Sequence, residues 1–186
     1  MTCRDQFGVP LTVNDPDAQR HYDAAVAKLL TFSGDPVAEV DAATAGDPAL
    51  VMGHVLKGLL CVLGTEKSLL PDARAALEAG MQVAGDATER EARHLAALEC
   101  WIDGRKILLN GHELRLGSID RGSRLEGYYL GMHAFGLEET GDYAAAELAG
   151  RLAVERDQRD AWAIHAVAHV MEMTNRVEDG RSWLES

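Results

Sequence analysis

The sequence predicts an all-α fold in which antiparallel helix pairs stack as an α-solenoid, and three observations carry that prediction. Apolar residues recur at helical spacing through most of the chain. Aromatics make up only 5% of the 186 residues, so the core must be built from Leu, Ala, Val and Met, and Leu and Ala cost least to hold in a helix. The stretch Leu125 to Glu185 divides into two units whose starts, Gly127 and Ala161, lie 34 residues apart. Helix-turn-helix repeats of that period stack because no single pair buries its apolar face alone.

In the first unit, Ala134, Ala146 and Ala153 put small residues where two helices of a pair approach, and Gly141-Asp142 permits a sharp reversal. The second unit keeps Ala168 in the place of Ala134 and Met171 in the place of Leu137. Asn175 replaces the turn glycine, and Asn tolerates the left-handed backbone a helix end requires. Val177 replaces Tyr143, Gly180 replaces Ala146, and Glu138 and Glu172 fall one period apart. These positions resemble tetratricopeptide helix pairs, with Ala134 and Ala168 turned inward between paired helices. Helices are expected near 125–140, 143–156, 160–174 and 177–185. The last carries Trp183 and Leu184 on a face that needs a partner chain or packing back on the protein.

Upstream, residues 1–14 read as a lead-in, with Val9-Pro10 biased toward extended backbone. Asp15-Pro16 starts a helix, the carboxylate capping it and the proline occupying its first position. Tyr22, Val26, Leu29 and Leu30 then follow at helical spacing through Thr31. A short helix follows Asp35-Pro36 and stops near Gly46. Asp47-Pro48 repeats the start device for a helix over 49–63 that is apolar on most faces and therefore sandwiched between neighbours. Helices over 67–83 and 87–102 come next, the second with a capping region at Thr88-Glu89-Arg90-Glu91. Glycines 104, 111, 117 and 122 crowd the segment 103–124, where apolar periodicity is weakest. That segment is expected to be irregular, with one short helix around Leu108-Leu109 and His112. The whole chain, 1–186, reads as one helical-repeat domain with this segment between the N-terminal helices and the two C-terminal repeats.

Charge narrows the partners. Thirty acidic residues against 18 basic give a formal charge of −12, with no basic stripe to meet a polyanion, so no nucleic-acid partner is expected. The same field favours cationic partners or metal ions. Cys3, Cys61 and Cys100 are widely spaced and odd in number, which predicts unpaired thiols, with Cys61 buried in an apolar run. No basic stretch followed by an apolar one opens the chain, and no uncharged apolar segment reaches membrane-span length, so a cytoplasmic protein with no membrane partner is expected.

Several strings are more specific than a generic repeat: Val55-Leu56-Lys57-Gly58-Leu59-Leu60, Glu91-Ala92-Arg93-His94 with Trp101, Tyr129-Leu130-Gly131-Met132-His133-Ala134-Phe135-Gly136-Leu137-Glu138-Glu139, and Asp160 through Met173. In these the chain resembles the tetratricopeptide repeat protein 38 family, over residues 16–102 and 125–186. Members of that family are longer, with another repeat-like segment between the parts matching Trp101 and Tyr129 and further helices past the part matching Leu184. The resemblance therefore implies a shortened or incomplete relative, and it carries over no catalytic mechanism.

His165, His169 and Glu172 form H-x-x-x-H-x-x-E on one predicted helix, and offsets of four and three place them on a common face. Two imidazoles and a carboxylate suit a Zn, Fe or Mn ion. The spacing is not that of a metalloprotease, because no carboxylate stands between the histidines. The same residues equally suit a hydrogen-bonded network between neighbouring helices or a peptide-facing surface. His54, His94 and His133 are the imidazoles that would complete a shell by converging on them, with His94 the further catalytic candidate, and stacking of the repeats is expected to bring either His133 or Glu138 toward His169. No glycine-rich phosphate loop and no nucleophile elbow is present.

Three functions follow as expectations. The first is a helical-repeat interaction module or scaffold binding a peptide or a partner helix, with Tyr129, Glu138, Trp162 and Trp183 as contact candidates and no cofactor. The second is a small metal-dependent enzyme that uses the His/Glu cluster to activate water or a small ligand. The third is a non-catalytic homodimer sealed through the C-terminal helix.

Overall fold

A computed structural model of the chain describes residues 2–64, 66–103 and 126–185. Apart from one two-stranded hairpin and two short 3-10 turns, the regular elements are α-helices, and within each unit neighbouring helices pack against one another in a helical-repeat arrangement. They fall into two compact units. The first runs to residue 103 without Leu30–Phe32, and the second joins Leu30–Phe32 to residues 126–185.

The first unit opens with strands β1 (Thr2–Arg4) and β2 (Pro10–Thr12), antiparallel with Cys3 opposite Leu11. The lead-in is thus a hairpin, which sequence reading took only as extended backbone. The Asp5 carboxylate accepts the Phe7 and Val9 amides at 2.9 Å each and so closes the turn, and Pro10 pairs only at the end of the ladder. A lone hairpin is marginal in water. This one is held from outside by Glu91, the second half of the capping box on helix α5 (Glu89–Ile102). Fully buried Glu91 accepts the amide and hydroxyl of Thr12 at 2.8 and 2.9 Å, and those of Thr88 at 2.7 and 2.9 Å. Burial alone would raise its pKa, but these bonds together hold the carboxyl below the ordinary glutamate value.

Helices α1 (Pro16–Leu30), α2 (Pro36–Gly46), α3 (Val51–Leu63) and α4 (Leu70–Gln82) complete this unit. Asp35 caps α2 as expected, accepting the Val37 and Ala38 amides. Asp47 departs from expectation. Its carboxylate accepts the amides of Asn14 and Ala49, its carbonyl accepts Leu50 N, and α3 begins only at Val51. The predicted sandwich holds, for α3 packs on α2, α4 and α5. Gly58 makes the α5 approach possible, since a Cβ there would lie 2.5 Å from Leu98 Cδ2. Leu11, Val40, Leu50, Val55 and Leu98 lie fully buried in this core. Cys3, Cys61 and Cys100 are free thiols, and Cys61 is half-buried rather than enclosed.

The second unit contains α6 (Glu126–Glu139), α7 (Tyr143–Arg156), α8 (Ala161–Met173) and α9 (Val177–Glu185). The repeat is visible in the turns themselves. Gly141 (φ 84°) and Asn175 (φ 57°) both adopt the left-handed conformation. Gly141 N donates to Glu138 O and Asp142 N to Leu137 O, and one period later Asn175 N donates to Glu172 O and Arg176 N to Met171 O. Ala134, Ala146 and Ala153 are completely buried, as the repeat predicts. The second repeat departs from it: Ala168 is only half-buried, and Gly180 faces Met171 instead, one turn further along α8, where an added Cβ would lie 3.4 Å from the Met171 Cβ. The covering helix α9 has nine residues, none of them buried, and so closes that side incompletely.

The expected irregular segment lies outside the described residues except for Asp103, as do Leu108, Leu109 and His112. Among the described residues, no helix is long and apolar enough to cross a membrane.

Candidate functional site

Side chains on α6 and α8 form a continuous row in the second unit. The Trp162 indole meets the Phe135 ring edge-on at 5.5 Å between centroids. Phe135 lies 6.0 Å from the His165 imidazole, and His165 and His169 are 4.4 Å apart with their planes tilted by 35°. His169 Nδ1 then lies 3.5 Å from Glu138 Oε1. The spacing of four between the histidines stacks their rings on one face of α8, while α6 supplies Phe135 and Glu138 from alongside. His165 is exposed and His169 and Phe135 are half-buried, but Glu138 is 8% exposed and its Oε2 has no hydrogen-bond partner among the described residues. A buried carboxylate oxygen without a donor is a costly arrangement, and it marks this end of the row.

At the start of α8, Asp160 is completely buried. Its Oδ1 caps the helix by accepting Ala163 N at 3.0 Å, while Oδ2 has no hydrogen-bond partner among the described residues. Room for this carboxylate exists only because residue 131 on α6 is glycine: a Cβ there would lie 2.4 Å from Asp160 Oδ2. Burial pushes the Asp160 carboxyl up to about 6, against the pull of the Ala163 and Trp162 amides, and the charge of Asp157 adds to the rise. Asp157 itself is held below the ordinary value, chiefly by Arg159, and it accepts the Tyr128 hydroxyl at 3.0 Å.

The residues singled out from sequence are therefore placed unequally. His165, His169, Glu138 and Trp162 come together. Glu172 is exposed near the end of α8, and the carboxylate beside His169 is Glu138 from the neighbouring repeat. Tyr129 is 38% exposed on α6, and His133 is half-buried there. Trp183 anchors α9, its Nε1 donating to Ile164 O at 3.2 Å with the Arg151 guanidinium 4.9 Å above the ring. In the first unit, His54 Nε2 lies 2.8 Å from the Pro48 carbonyl oxygen and His94 is half-buried on α5. Among the described residues, no three His, Cys, Asp or Glu side chains are grouped to hold a metal ion. The cluster expected of a metal-dependent enzyme is not formed by them.

Sequence reading missed Phe135 as the link in the row, the Gly131–Asp160 packing, and an open cleft of about 800 Å³ among α2, α3 and α4 in the first unit. Asp160 preceding a helical run was a capping signal, and Gly131 lay in plain view two residues after Tyr129. Their juxtaposition required the tertiary fold. No family model matches the chain, and no solved structure matches it significantly.

Proposed function

We propose that this chain is a helical-repeat interaction module of the tetratricopeptide type, related to the tetratricopeptide repeat protein 38 family. It holds a peptide or helix of a partner protein against α6 and α8. The observation that supports this reading is the row Trp162, Phe135, His165, His169 and Glu138, in which rings with exposed edges lead to a buried carboxylate whose second oxygen lacks a donor. Aromatic and imidazole faces offer large contact area at low conformational cost. A partner supplying an N–H or ammonium donor at the Glu138 end would meet the chain's acidic field as well. On this reading Tyr129 extends the contact along α6, the module works in the cytoplasm, and it needs no cofactor.

Partner capture from cell extract, run beside Phe135→Ala and His165→Ala, tests this. A partner retained by the parent and lost by both folded variants is the expected result. The same proteins captured by all three would overturn it.

A second reading, self-association through α9, is favoured by a different observation. Met173, Val177 and Leu184 are 61, 62 and 63% exposed at this end of the unit. Light scattering across a concentration series should then show a dimer that Leu184→Glu abolishes, and a monomer throughout would overturn the reading.

A further inference from the structure

The cleft of the first unit is a trough that follows the helix axes. Helix α3 forms its floor and packs on α2 and α4, which form the two walls. Each helix presents a stripe at helical spacing: Asp41 and Ala45 on α2, Lys57 and Cys61 on α3, Ala75 and Ala79 on α4. Alanines along the α4 wall leave little relief, so a long rigid body can approach closely. At about 800 Å³ and open along one side, the space suits one ridge of a helix laid lengthwise rather than a compact, enclosed molecule.

The charges in the trough select what lies there. Lys57 Nζ sits 2.6 Å from Asp41 Oδ1, so the only lysine of the lining is already paired. Asp72, in the first turn of α4, supplies the other full charge. The field of these groups is registered at Cys61: its thiol is raised first by burial, next by Asp72 and also by Asp41, with Lys57 opposing. The balance inside the cleft is negative.

We propose that this trough binds an amphipathic helix of a partner protein, one that lays two apolar residues a turn apart against Ala75 and Ala79 and directs a lysine or arginine to Asp72. The site is separate from the α6/α8 row and does not depend on it.

The test uses the full chain and two alanine-based peptides of about 14 residues, end-blocked, with leucines four apart and differing only in Lys or Glu one turn beyond. Amide chemical shifts are followed during titration. The expected result is binding of the Lys peptide about five-fold tighter than the Glu peptide, with shifts at Lys57, Cys61 and Ala79. Asp72→Asn should bring the two peptides together, and Ala79→Leu, which fills the trough at a half-buried position, should remove binding while helicity is retained. Absence of binding, equal affinities in the parent, a preference unchanged by Asp72→Asn, or shifts confined to other surfaces would each overturn the proposal. The α6/α8 reading would stand in any of those cases, because Phe135→Ala and His165→Ala leave the trough intact.

Discussion

Each unit buries one carboxylate completely, Glu91 in the first turn of a helix and Asp160 at a helix cap, and the two behave oppositely. Glu91 in the first unit receives four hydrogen bonds, from the amides and hydroxyls of Thr12 and Thr88, and its pKa falls. Asp160 in the second unit is equally inaccessible, yet one of its oxygens receives nothing and its pKa rises to about 6. Burial is common to both, so the number of donors aimed at the anion decides the sign. The packing differs in the same sense. The first unit has Leu11, Leu50 and Leu98 at its centre, whereas the centre of the second is Ala134, Ala149 and Ala166, with helices close enough to press a carboxylate against a glycine.

Removing the better-satisfied carboxylate should do the greater damage. Glu91→Ala leaves the buried donors of Thr12 and the half-buried donors of Thr88 without their acceptor and frees the hairpin. It should cost about 4 kcal/mol in urea unfolding, with amide exchange accelerated in residues 2–12. A loss below about 1 kcal/mol would mean that water replaces the carboxylate readily.

The pH dependence of the units should run in opposite directions. The Asp160 pKa is raised from 3.8 to about 6, so its stabilising contribution is complete below pH 3.8 and is lost as pH rises through 6, by roughly 3 kcal/mol. The Glu91 pKa is lowered from 4.5, so its contribution is present above pH 4.5 and disappears as pH falls through the lower folded value. Unfolding of the parent and of Asp160→Asn between pH 3.5 and 7.5, followed by probes in each unit, separates the two. Asp160→Asn keeps a capping oxygen and should flatten the profile of the second unit alone.

Gly131→Ala should destabilise the second unit by about 2 kcal/mol, because its methyl meets Asp160 Oδ2. In an Asp160→Ser background that cost should shrink, and a double-mutant cycle showing simple additivity would contradict the contact. The smallest effect belongs to the turns. Asn175→Gly should stabilise by about 0.5 kcal/mol by removing the side chain from a left-handed residue, whereas Gly141→Ala should cost about 1 kcal/mol.

Much of the second unit was legible in advance because its signals are local. The period of 34 residues located all four helices to within a residue or so, and the left-handed turn at Asn175 followed from side-chain chemistry. The histidine pair was legible for the same reason, since an offset of four on a helix fixes proximity. Its partner was legible only as one of several choices, Glu172 on the same helix, or Glu138 or His133 brought over by stacking of the repeats. Glu172 shares the helix and the spacing, but Glu138 reaches His169 because α6 lies beside α8. In the first unit, the Thr88–Glu91 capping box was readable, while the use of the same carboxylate by Thr12, 79 positions away, was not.

The sequence by itself determined the helical class, the limits of the second unit's helices, the caps at Asp35 and Thr88 and the repeat, all of which depend on residues within a few turns of one another. Tertiary structure decided which carboxylates are satisfied and which are stranded, which ring joins Trp162 to His165, and that α2, α3 and α4 leave a trough. Each of those depends on how closely elements distant in sequence pack, and small residues between helices set that closeness, Gly58 in the first unit and Gly131 and Ala134 in the second, an effect no single stretch of chain contains.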